Sequence, residues 1–206
     1  MTERVSPQQA WDQLVEGNRR FAQGRPERAH QDAARRSELT SGQQPDAVVF
    51  GCGDSRVPCE TLFDQGFGDI FVVRTAGQVL DEAVLGSVEF GISPLQVPLI
   101  VVLGHSSCGA VGAARTAVET GRMPAGFVRV VAEKIVPTVL DCANRGITDY
   151  RAVVDAHTTA TADLLMARSS LIRAAVEAGD TAIVCATYQL EDGVVAPVSV
   201  VGDVHL

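Results

Sequence analysis

Four short runs of apolar, largely β-branched residues recur along the chain: AVVFGC (47–52), DIFVVR (69–74), PLIVVLG (98–104) and TAIVCAT (181–187). None alternates polar with apolar residues, so each is suited to being covered on both faces, like a strand in a parallel sheet. Helical patterns lie between them, at about 80–92, 107–120, 126–144 and 149–178, the last with Thr148 as cap and Gly179 as stop. Strand alternating with helix specifies an α/β fold with a mainly parallel central sheet flanked by helices. VVAPVSVVG (194–202) adds an edge strand to the four parallel ones, because Pro197 has no N–H to give a central ladder. In such sheets the sites lie at the carboxyl ends of the strands.

Ahead of the sheet, residues 7–23 place Trp11, Leu14, Val15, Asn18 and Phe21 near helical spacing. Ser6 is positioned as N-cap, Pro7 as the first helical residue, and Gly24 follows the last turn. The polar stretch GRPERAHQDAARR (24–36) separates this helix from the strand pattern. The expectation is one domain over 1–206, with 1–40 a helical arm that packs on a partner subunit. The pair Asp64 and Asp69, bracketing QGFG, is assigned to turn chemistry.

Twenty-five acidic against seventeen basic side chains give a formal net charge of −8, which opposes a nucleic-acid or anionic-membrane partner. The four arginines of 24–36 are the only basic cluster, and Glu27 and Asp32 interrupt it. The longest apolar stretch, VPLIVVL (97–103), is far short of the ~20 residues of a membrane helix. The N-terminal residues show no apolar signal region, and five cysteines without regular spacing do not suggest a disulfide framework. Location in the cytoplasm is the expectation.

Two strand ends carry reactive side chains. The first run ends in Cys52, followed by Asp54 and Arg56; the third runs into HSSCGA, giving His105 and Cys108. If the two strands are neighbours, two thiolates and an imidazole converge, a ligand set that suits Zn²⁺ and leaves a fourth position for water or a carboxylate. Asp54 is within reach of that position, and Arg56 can hold its carboxylate in a fork. GCGDSR has Arg56 where a dinucleotide loop needs its third glycine, and neither a phosphate loop, a G-x-S-x-G elbow nor a C-x-x-C occurs. Cys59, Cys142 and Cys185 are read as packing residues, although Cys59 follows Pro58 at a helix start, where a thiol can be acidified. His30, His157 and His205 are read as surface or interface residues, with His157 a proton relay if it faces the site.

Cys-x-Asp-Ser-Arg at 52–56 and His-x-x-Cys-Gly at 105–109 resemble the motifs of the β-class carbonic anhydrases. The resemblance runs from the N-terminal helix to about residue 190 and includes VVRTAG. It implies a zinc enzyme, with one Zn²⁺ per subunit, that interconverts carbon dioxide and bicarbonate as a homodimer or a dimer-based tetramer. It implies Cys52, His105 and Cys108 as ligands, and Asp54 with Arg56 as the orienting pair, Asp54 becoming the fourth ligand in a closed state. It further implies a substrate pocket at a subunit interface. Gln43 of GQQP, beside Gln44, contributes a hydrogen bond there, and Phe71, Ala76 and Phe90 form the apolar wall. Many relatives carry tyrosine where this chain has Phe90, so that hydroxyl is missing. Zinc lowers the pKa of bound water from ~15.7 to about 7, giving hydroxide to attack carbon dioxide, and the N–H of Gly109 can steady bicarbonate charge. Two rival functions share these residues: hydrolysis of carbonyl sulfide or carbon disulfide on the same scaffold, and a non-catalytic structural zinc site.

Overall fold

A computed structural model describes residues 4–206. In chain order the elements are α1 (Pro7–Ala22), α2 (Ala33–Glu38), a 3₁₀ turn (Leu39–Ser41), β1 (Ala47–Cys52), α3 (Cys59–Leu62) and β2 (Ile70–Thr75). A second 3₁₀ turn (Ala76–Gln78), α4 (Glu82–Ile92), β3 (Leu99–His105), α5 (Gly109–Thr120) and α6 (Val128–Asn144) come next. The chain continues through α7 (Tyr150–Arg168), α8 (Ser170–Glu177), β4 (Ala182–Tyr188) and β5 (Val195–Val201). The sheet order is β2-β1-β3-β4-β5, parallel except for β5, which runs antiparallel to β4.

Every residue of β1, β3 and β4 is buried, whereas the outer strands β2 and β5 are mostly half-buried. Successive side chains point to opposite faces, and the core divides accordingly. Val49, Val101 and Val184 pack with α1 and α3 on one face. Val48, Phe50, Ile100, Val102 and Ile183 pack with α4, α7 and α8 on the other. A third cluster, beyond the carboxyl ends of the strands, joins Cys52 and Cys108 to Val111, Ile135 and Val153 of α5, α6 and α7. Pro197 lies in the antiparallel edge strand as its missing N–H requires. The register there shifts from Cys185↔Ser199 to Ala186↔Pro197, so Val198 is the extra residue of a bulge.

α1 begins as its sequence directs: Ser6 accepts from the Gln9 N–H and Gln9 returns a bond to the Ser6 N–H, a complete capping box. Its apolar stripe is used within this chain. Ala10, Trp11 and Leu14 are buried against the cluster holding Leu62, Phe63 and Val204. Asn18, on the same stripe, donates to the carbonyls of Leu62 (3.0 Å) and Gly193 (2.9 Å) and accepts from the Val195 N–H (2.8 Å). The outward face of the helix leaves Val15 44% exposed.

The helical pattern at 149–178 is two helices. Ser169 leaves helical geometry (φ −108, ψ 114) and its hydroxyl accepts from the Ile172 N–H at 3.0 Å, capping α8. A serine that can bond nearby backbone favours a cap over helix interior. The N-cap of α7 is Asp149, whose carboxylate accepts from the Ala152 N–H at 2.9 Å, and not Thr148. Among the described residues no helix is long and apolar enough to cross a membrane.

The arm after α1 is anchored by Asp64, which is more than a turn residue. Its buried carboxylate accepts from Arg20 Nε (2.7 Å) and from the backbone N–H groups of Glu27 (2.9 Å) and Arg28 (2.9 Å). Asp69 does close the turn, accepting from the Gly66 N–H at 2.8 Å, and it also pairs with His30. Burial pushes the Asp64 carboxyl up, but Arg20 and the two N–H groups together hold it below its ordinary value. A depressed folded pKa gives stability that is present above the unfolded value of about 3.9 and lost as pH falls through the folded value. Asp64→Ala is therefore expected to cost about 2–4 kcal/mol at neutral pH, because it leaves two N–H groups without their acceptor and takes from Arg20 its closest carboxylate. Denaturant titration should show this loss shrinking as the pH falls below about 4. A constant difference would contradict the assignment.

Candidate metal centre

β1 and β3 are adjacent and parallel, with Gly51 opposite Leu103, so both open at the same edge of the sheet. β1 ends on Cys52, β3 ends on His105, and Cys108 is the N-cap of α5. The connecting residues turn through Ser107, whose positive φ of 57° is the left-handed conformation a tight reversal needs. The result is a buried triad: a ligand atom from each of Cys52, His105 and Cys108 lies within 4.8 Å of the others.

His105 decides the chemistry of this triad. Its Nδ1 is 2.9 Å from the Ser106 carbonyl, so Nδ1 carries the proton and Nε2 a free lone pair. Nε2 is buried and has no hydrogen-bond partner among the described residues. Such an orphan costs about 1–3 kcal/mol, yet it faces two sulfurs. The Cys52 thiol is pulled below its ordinary value, chiefly by the hydrogen bond from Cys108 and against its burial; the N–H groups of Gly77 and Asp54 add to the effect. Cys108 is pushed up, first by that shared proton and then by burial, while N–H groups of Val111 and Ala110 in α5 oppose the rise. Two sulfurs beside an imidazole nitrogen with a free lone pair are a donor set that a zinc ion would complete. The residues fit the metal.

Asp54 lies at the rim, its Oδ2 3.9 Å from His105 Nε2. Arg56 grips it from the far side: Nε to Oδ1 at 2.9 Å, Nη2 to Oδ2 at 2.7 Å, and the Arg56 N–H to Oδ1 at 2.9 Å. That fork, before other influences, holds the carboxyl well below the usual carboxylate range. The carboxylate therefore stands in the fork, at the edge of the triad.

Several supporting residues escaped the sequence reading. Arg74, the arginine of VVRTAG, donates to the carbonyls of Cys52 (2.9 Å) and Asp54 (2.6 Å) and so fixes the loop that carries them. The Gly77 N–H donates to Cys52 Sγ at 3.2 Å. Tyr150 donates to the Cys108 carbonyl at 2.6 Å, with the Arg115 guanidinium 5.2 Å from its ring centre. Only VVRTAG gave any signal of these; the others come from elements remote in sequence.

The implied pocket residues divide into two groups. Ala76, directly after β2, and Gly109, at the start of α5, stand at the triad's end of the sheet, and the Cβ side of Gly109 opens on empty space. Gln43 does not: it is exposed in the loop before β1, a strand length (about 15–20 Å) from Cys52. Phe71 pairs with Val48, four residues below the Cys52↔Thr75 pair, or about 13 Å along the strand. Phe71 and Phe90 lie against each other, ring centres 6.1 Å apart and tilted by 33°. A single chain thus leaves Gln43, Phe71 and Phe90 away from its own triad.

The other cysteines and histidines also resolve. Cys59 is buried and pushed up to about 12 by that burial, so it is a packing residue and not an acidified thiol. Burial likewise raises Cys142, and it raises Cys185 to about 11. His157 is not a surface residue: it is buried, and its Nε2–H donates to the Gly77 carbonyl at 2.8 Å. His30 and His205 are exposed.

A carbonic anhydrase family model matches residues 47–195, the span from β1 into β5 that builds the triad. The chain belongs to the β-class carbonic anhydrases. Carbonic anhydrase 2 of Mycobacterium tuberculosis is 51% identical over 189 residues, covering 92% of this chain and 91% of its own length. The carbonic anhydrase of Mycolicibacterium smegmatis is 49% identical over 199 residues, or 97% of each chain. Two solved structures share the fold. The Coccomyxa β-carbonic anhydrase in complex with acetazolamide has a TM-score of 0.73 at 23% identity, covering 92% of this chain and 87% of its own. A tetrameric β-carbonic anhydrase from Sordaria macrospora gives 0.74 at 24%, covering 93% and 98%. The family is one of lyases.

Proposed function

We propose that this chain, as a member of that family, catalyses the reversible hydration of carbon dioxide to bicarbonate and a proton, with one zinc ion held by Cys52, His105 and Cys108. The observation that carries the reading is the buried, partnerless Nε2 of His105 facing two cysteine sulfurs. Zinc at that point supplies a Lewis acid that makes hydroxide available from water near neutral pH.

The remaining work falls to side chains and backbone. Asp54, kept ionised and oriented by Arg56, accepts a hydrogen bond from the attacking water oxygen and turns its lone pair toward the carbon. The Gly109 N–H, at the positive end of the twelve-residue α5, donates to the oxygen on which negative charge develops. Ala76 offers an apolar surface for an uncharged substrate. Gln43, Phe71 and Phe90 enter the pocket from a second copy docked along the outer strand β2, which makes the active unit a homodimer or a dimer-based tetramer. A closed state, with Asp54 moved out of the fork to the fourth ligand position, belongs to the same proposal. Cytoplasmic location is supported by five cysteines that form no disulfide.

Metal removal tests the reading. Protein stripped by a chelator is expected to lose carbon dioxide hydration in a stopped-flow assay and to regain it with one equivalent of zinc per subunit. Full activity in the stripped protein would refute it.

A further inference from the structure

α7 carries a buried histidine that the proposed reaction does not use. His157 reaches from α7 to a turn 80 residues earlier, donating from Nε2 to the Gly77 carbonyl at 2.8 Å. The next residue, Thr158, accepts from Gln78 Nε2 at 3.4 Å. The same turn is closed by the Thr75 hydroxyl on the Val79 carbonyl (2.9 Å), and the Thr75 carbonyl accepts from the Gly53 N–H (2.8 Å). From this turn the Gly77 N–H points at Cys52 Sγ, 3.2 Å away.

Gly77 can hold that direction only under constraint. Its φ of 64° is left-handed, and a Cβ there would lie 2.6 Å from Ala110 Cβ and 3.0 Å from Ile135 Cδ1. The position must therefore be glycine, the residue with most backbone freedom to lose. A glycine without side-chain packing needs something else to fix its two flanking peptide planes. The Cys52 sulfur takes the N–H on one side, and the His157 imidazole takes the carbonyl on the other.

We propose that His157 is a positioning residue for the metal centre: by clamping the Gly77 carbonyl it aims the Gly77 N–H at the Cys52 sulfur and sets that sulfur's strength as a ligand. The proposal rests on the metal centre described above. An N–H···S bond draws charge off the sulfur, stabilising the thiolate and lowering the energy of the electrons it donates. Outer partners of this kind typically change metal affinity by about 10–100-fold.

The test uses cobalt(II)-loaded protein, in which sulfur-to-cobalt charge-transfer absorption reports directly on the thiolates, together with zinc competition against a chromophoric chelator. His157→Leu puts an apolar side chain of similar bulk in its place and removes the donor. It is expected to weaken zinc binding by about 10–100-fold and to move the charge-transfer band to longer wavelength. His157→Gln returns an N–H donor at similar reach and should restore both most of the way. A folded His157→Leu protein with wild-type affinity and band position would overturn the proposal. Nitrogen-15 spectra of the wild-type imidazole give a reading independent of any variant's folding: the proton belongs on Nε2, and a proton on Nδ1 overturns the clamp. A wild-type protein that takes up no cobalt overturns the metal centre itself, an outcome distinct from the failure of the clamp alone.

Discussion

Replacing Cys52 and Cys108 together by serine is expected to remove zinc and carbon dioxide hydration in one step while leaving the sheet folded. Serine is close in size to cysteine, and both positions lie where β1 ends and α5 begins, so packing changes little. A serine hydroxyl, however, does not ionise near neutral pH and is a hard donor where the site offers soft ones. The remaining ligand, His105, cannot hold zinc alone. Activity should fall by more than the ~10–100-fold that follows loss of an outer partner. Elemental analysis finding one zinc per subunit in the double variant would remove the assignment of these ligands.

The second large effect belongs to the Asp54–Arg56 pair. Asp54→Asn is expected to slow hydration by about 10²-fold, the scale of losing one preorganised polar contact to the reacting oxygen, with zinc content unchanged. Asparagine presents an amide donor on one side where the carboxylate had an acceptor, so the attacking oxygen loses its orientation. Arg56→Ala should also lower the rate, because it removes two of the three bonds that hold the carboxylate clear of the triad. The Arg56 side chain is 53% exposed, and exposed ion pairs contribute little to folding, so the unfolding midpoint should barely move. Full hydration rates in both variants would show that the pair has no part in the chemistry.

The strands were legible because fully covered segments must be apolar on both faces, and the first and third end in side chains that packing does not require. The adjacency of β1 and β3 was the missing step, and the register Gly51↔Leu103 supplies it. Local signals failed where two of them compete. Consecutive serines near residue 169 sit inside an apolar period that continues across them, so only the backbone shows that Ser169 caps a new helix. The stripe of α1 was visible, but amphipathicity does not say against which chain a face is buried; Trp11 and Leu14 answer this in the structure. The roles of Arg74, Gly77, Tyr150 and His157 depend on contacts between distant elements, and sequence periodicity carries no trace of them. Gln43, Phe71 and Phe90 mark the opposite limit: motif resemblance groups them with the triad, while a single chain places them before β1, on β2 and on α4.

The central claim is that zinc is bound by Cys52, His105 and Cys108, with a light atom in the one remaining position. Zinc-edge X-ray absorption of the isolated protein tests it most directly, across roughly pH 6 to 9 to bracket the zinc-water pKa of about 7. The account predicts two sulfurs at about 2.3 Å, one imidazole nitrogen at about 2.0–2.1 Å and one further light atom. Four sulfur and imidazole ligands with no exchangeable position, or a shell of oxygens alone, would contradict it.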